Sequence, residues 1–187
     1  MANPIAQSTQ LHLDAMDPTA RGIAEDELLS ATLRAPGHKL DLESELNLFK
    51  AIKCVASVDG LSREELTGLK FIMIMAGLQP AEQQHVLAFD GAGVEVQHVI
   101  DLFPEGSRAA CYVLSGATTV AAIDGLSDDE EAYARELGLG LGLPKRLVDV
   151  MIAEARVTGR AMNEGNQPVV NDLIKLRQAI HALVDPV

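Results

Sequence analysis

The chain has 187 residues and a formal net charge of −12, from 27 Asp and Glu against 15 Lys and Arg. Hydrophobic residues make up 48% and aromatic residues 3%, with no Trp, which is enough for one core of Leu, Ile, Val, Met and Ala. This balance excludes nucleic acid, whose binding draws on Lys, Arg and stacked rings, and no apolar run approaches the roughly 20 residues of a membrane span.

The first start signal is Asp17-Pro18, with Asp as N-cap and Pro where its missing N–H costs nothing. It predicts a helix to about Arg34, ended by Ala35-Pro36-Gly37. Asp41 opens the next, whose apolar face is Leu42, Leu46, Phe49, Ile52 and Ala56, three or four residues apart, ending near Val58. Residues 1–40 thus read as an N-terminal extension with a helix and 41–187 as a helical domain.

The segment Ala56-Ser57-Val58-Asp59-Gly60-Leu61-Ser62 returns as Ala121-Ala122-Ile123-Asp124-Gly125-Leu126-Ser127, at an offset of 65 residues. Each copy is a complete helix-to-helix turn. Gly60 and Gly125 can take the left-handed conformation that ends a helix. Ser62 with Glu65 and Ser127 with Glu130 form Ser-x-x-Glu capping boxes that start the next one. Those helices should reach about Ala76 and Leu141. Residues 137–143 alternate Leu and Gly like a strand, but the repeat, the cap and the stripe Tyr133, Leu137, Leu141 predict helix. Gly138 and Gly140 cost about 1 kcal/mol each relative to Ala, so they mark places where a neighbouring helix comes close.

Pro80 opens a further helix, Asp90-Gly91-Ala92-Gly93 breaks the chain, and another helix is predicted from about Val94 to Phe103. Residues 107–123 are apolar nearly all round and belong at the centre. Residues 159–167 read as a loop. From Pro168 to Val184 the apolar residues share one face, as in an outer helix. The class is all-α, a compact bundle of about eight helices with two pseudo-repeated hairpins.

Among chemically active groups, Asp59 and Asp124 occupy equivalent turns, with Glu65 and Glu130 at identical spacing. Four carboxylates suit a hard divalent cation such as calcium if the two turns meet. The competing role for both Glu residues is helix capping. Glu82-x-x-His85 and Glu95-x-x-His98 put Glu and His on one helical face, the pattern of di-metal carboxylate enzymes, and form the alternative reading. Gly-x-Ser-x-Gly, phosphate-loop and His-Glu-x-x-His motifs are absent. His12, His38 and His181 stand isolated in sequence, and Cys54 and Cys111 read as reduced core residues.

The duplicated Asp-Gly-Leu-Ser-x-x-Glu turns, each joining an Ala-rich helix to an acid-started one, resemble the TerB-like tellurite-resistance family over about Leu42 to Ala155. The resemblance implies a non-enzymatic stress-response binding or scaffold module, with divalent-cation binding and a membrane-associated stress complex as its setting. The acidic surface points to a cation or a basic protein partner. The first residues lack the charged, apolar and cleavage regions of a secretory signal, so a cytoplasmic location is expected.

Overall fold

In the computed structural model, residues 2–31, 39–57 and 60–184 are described, and they form ten α-helices with no strand. In chain order these are α1 (Pro4–Ala15), α2 (Pro18–Ser30), α3 (Leu42–Ala56), α4 (Arg63–Met75) and α5 (Pro80–Ala88). The others are α6 (Val96–Ile100), α7 (Arg108–Ala121), α8 (Asp128–Gly140), α9 (Lys145–Asn163) and α10 (Gln167–Ala182). Arg34, His38 and Asp59 lie outside the described residues.

The expected central helix is α7, whose neighbours are α3, α4, α8, α9 and α10. Its residues from Ala110 to Ala121 are buried except Gly116, as its all-round apolar sequence requires. α10 is peripheral, with Ile180 as its buried residue. α1 and α2 contribute Ile5, Leu13, Ala24 and Leu28 to the same core as α3 and α7.

Local chemistry sets most boundaries. Asp17 accepts hydrogen bonds from the N–H groups of Thr19 and Ala20, and Asp41 accepts from Ser44. Both capping boxes form: Ser62 and Glu65 exchange bonds of 2.7 and 3.1 Å, and Ser127 and Glu130 exchange bonds of 2.7 and 3.2 Å. Gly60 and Gly125 precede them at φ +105° and +115°, backbone conformations that L side chains rarely adopt. Residues 137–143 are not a strand: α8 runs through to Gly140. A Cβ on Gly138 would come within 2.8 Å of Val148 and 2.9 Å of Leu114, and one on Gly140 would crowd Ile100. These glycines are contact points between helices.

Ten helices among the described residues stand against the expected eight or so, and three segments differ from expectation. α1 was not anticipated, although Asn3-Pro4 is the same kind of start as Asp17-Pro18, and Asn3 accepts from the N–H groups of Ile5 and Ala6. The predicted helix from 94 to 103 shrinks to the five residues of α6, followed by turns. The predicted loop at 159–167 is corrected most: α9 continues to Asn163, and only Glu164, Gly165 and Asn166 separate it from α10. Gly159, the first residue of that expected loop, lies buried inside the helix.

Candidate functional site

The acidic turns come first because the sequence singled them out. Glu65 is 2% exposed; one carboxylate oxygen serves the capping box, while Oε1 is buried without a hydrogen-bond partner. Burial pushes its pKa up, and the charges of Asp124 and Glu130 push the same way, so residues of the two turns lie within electrostatic reach of one another. Glu130 is half-buried and Asp124 exposed. Among the described residues, no three His, Cys, Asp or Glu side chains are grouped to hold a metal ion.

The two Glu-x-x-His pairs do different things. In the second, the N–H of Glu95 donates to His98 Nδ1 at 3.0 Å, a reciprocal cap of α6. In the first, Glu82 is 3% exposed with Oε2 unpartnered, and His85 stacks on His12 of α1, centroids 3.9 Å apart and planes 9° from parallel. Parallel stacking keeps the ring lone pairs from converging on one point. Beside them Lys50, 0% exposed, donates to Ser8 Oγ at 3.0 Å and Thr9 Oγ1 at 2.9 Å. Burial lowers Lys50 to about 8 and His85 to about 4, the latter with help from the charge of Lys50. His12 is therefore not isolated: it belongs to a buried interface between α1, α3 and α5.

A third feature is one no motif announced. Between α4 and α10, floored by α7 and α3, runs a groove of about 610 Å³. Its orientation follows from contacts at its ends. Gly68 of α4 sits against Ile123 just beyond α7, while midway along α7 Ser115 Oγ lies 2.8 Å from His181 Nε2 of α10, and at the start of α7 Arg108 Nε donates to the Val184 carbonyl. α10 therefore runs antiparallel to α7. Phe71 and Met75 on one wall, with Ile174 and Met162 on the other, line the groove and are 37–56% exposed.

Polar side chains also line the groove, Arg63, Thr67, Ser115 and Gln178 among them. Arg177 is held by Glu154 at 2.8 and 3.1 Å, and Thr158 also donates to that carboxylate, so the buried charge of Glu154 is paired. Thr119 differs. It is 7% exposed and lines the groove, yet its Oγ1 has no hydrogen-bond partner, whereas neighbouring Thr118 returns its hydroxyl to the Leu114 carbonyl at 2.8 Å. A buried hydroxyl without a partner costs about 1–3 kcal/mol.

Cys54 and Cys111 are free thiols that burial raises to about 11, which keeps them protonated and unreactive at neutral pH. No helix among the described residues is long and apolar enough to cross a membrane. Comparison of the chain with protein-family models, with curated proteins and with solved structures finds no match.

Proposed function

We propose that this chain is a non-enzymatic binding module that takes an apolar ligand into the groove between α4 and α10. The observation that carries this reading is the groove itself: about 610 Å³, lined mainly by apolar side chains and open to solvent, within the 300–1,000 Å³ typical of small-molecule sites. A naphthalenesulfonate dye that fluoresces in apolar surroundings tests it. Wild type should bind the dye at a saturable site. The Phe71→Glu, Ile174→Glu variant should bind about tenfold more weakly or worse, because each carboxylate must be desolvated against the ligand. Both positions are exposed, at 56% and 42%, so helicity should not change. Equal binding by the two proteins would reject the groove.

A divalent cation at the two acidic turns is a second reading, favoured by the unpartnered, buried Glu65 Oε1 beside the charges of Asp124 and Glu130. Calcium should then bind wild type in calorimetry and fail to bind an Asp59→Asn, Asp124→Asn variant that stays helical. Equal heats would end this reading. The TerB-like resemblance of the turns supports a stress-response setting, with the module as a scaffold for a basic partner or a membrane-associated complex.

A further inference from the structure

We infer that Met75 and Met162 are oxidation sites of this groove: a hydroperoxide converts them to sulfoxides and shuts the groove to apolar ligands, and reduction by thiols reopens it. The inference rests on the groove being a binding site and adds how that site is regulated.

Placement singles these two out. The chain has six methionines. Among the described ones, Met73 and Met151 are core residues at 0% and 2% exposure and Met16 is half-buried, whereas Met75 and Met162 are 37% and 39% exposed. Both exposed methionines line the groove, from opposite walls. Each is carried by a helix with a fixed contact at the end of α7. Met75 ends α4 two turns beyond Gly68, which packs on Ile123, and Met162 lies one turn beyond Gly159, which packs on Ala122.

Sulfur chemistry decides which residues an oxidant reaches first. The competing nucleophiles are Cys54, half-buried, and Cys111, buried, whose thiols burial raises to about 11. At pH 7 only about one in ten thousand of either is thiolate, the reactive form. A thioether has no proton to lose, and its lone pair attacks the peroxide directly. The O–O bond breaks, one oxygen stays on sulfur, and the other leaves as water with both hydrogens, so sulfur gives up two electrons. Two thiols reverse the step: they return two electrons and two protons, the oxygen leaves as water, and a disulfide forms between them.

The effect on binding follows from polarity. A sulfoxide replaces a flexible apolar surface with a polar one, and an apolar ligand pressed against it removes its water without offering a hydrogen bond. With one such group on each wall, both sides of the groove turn polar together. The fold is not at stake, because both positions are open to solvent.

Hydrogen peroxide on the full chain, followed by its removal, peptide mass spectrometry and dye titration, tests this. Met75 and Met162 should gain one oxygen each before Met73 and Met151 do. The naphthalenesulfonate dye should then bind about tenfold more weakly or worse, with helicity unchanged. Methionine sulfoxide reductases with dithiothreitol should restore the affinity. The Met75→Leu, Met162→Leu variant is compared with itself, and peroxide should leave its affinity where it started. Dye binding that survives oxidation of both methionines, or a loss that reduction does not reverse, overturns the inference and leaves the groove standing. Earlier oxidation of Met73 or Met151, or an equal loss in the double variant, does the same. Absence of saturable dye binding in untreated wild type removes the site and the inference with it.

Discussion

Gly159→Ala should destabilise the protein by about 2 kcal/mol, while Gly22→Ala should stabilise it by up to about 1 kcal/mol. Both glycines lie inside helices, α9 and α2, where Ala is the better residue by about 1 kcal/mol. Space reverses the sign at Gly159. A Cβ there would stand 2.7 Å from the Ala122 carbonyl carbon and closer still to its oxygen. Both are backbone atoms at the end of α7 that no rotamer change can move aside. α9, which buries Val148, Met151, Ile152 and Ala155 in the core, must then slide off its neighbour α7. At Gly22 nothing lies within 4 Å of the added carbon. Urea unfolding of the three proteins decides the matter, and a Gly159→Ala variant as stable as wild type would mean that α7 and α9 do not meet at this point.

Acidification should loosen the seat of α1 on α3 and α5. Burial holds His85 at about 4 and also lowers His12, against about 6.5 for an exposed imidazole. Above pH 6.5 the ring of His85 is neutral in both folded and unfolded chains, so pH makes no difference. As pH falls below 6.5 the unfolded chain takes up a proton that the folded chain refuses until about 4, and stability falls across that interval. The charged groups facing the stacked pair act in opposite directions. Lys50 on α3 disfavours protonation of both rings, and Glu82 on α5 favours it at His12. Allowing for the half-buried state of the ring, the loss attributable to His85 between pH 7 and 4.5 is on the order of 1–2 kcal/mol. His85→Phe retains an aromatic partner for His12 and removes one titrating group, so its stability should depend less on pH over the same interval. Identical pH dependence in variant and wild type would show that the His12–His85 contact does not sense acid.

Features legible in the sequence were those whose physics acts within a few residues. Asp17, Asp41, Ser62 and Ser127 bond to N–H groups two or three positions ahead, and Gly60 and Gly125 needed only their own φ angle. For this reason the all-helical class, most helix starts and the central place of α7 could be read from the chain, and Asn3-Pro4 carried the same signal for α1. The helix ends were harder. Gly159 carries the local signature of a breaker, and only the approach of α7 explains why a helix keeps a glycine there.

Tertiary structure alone decided which polar groups are buried and what the outer face encloses. Lys50 meets Ser8 and Thr9 from about forty residues away, and His85 finds His12 across a longer separation, so neither spacing nor periodicity could pair them. The groove is assembled from five helices. On each, its residues look like ordinary members of an apolar stripe, and Thr119 looks like any helical threonine until its hydroxyl is seen to lack the partner that Thr118 has. Sequence determines the helices because their hydrogen bonds and caps are local; the cavity between them exists only once helices far apart in the chain have chosen their distances.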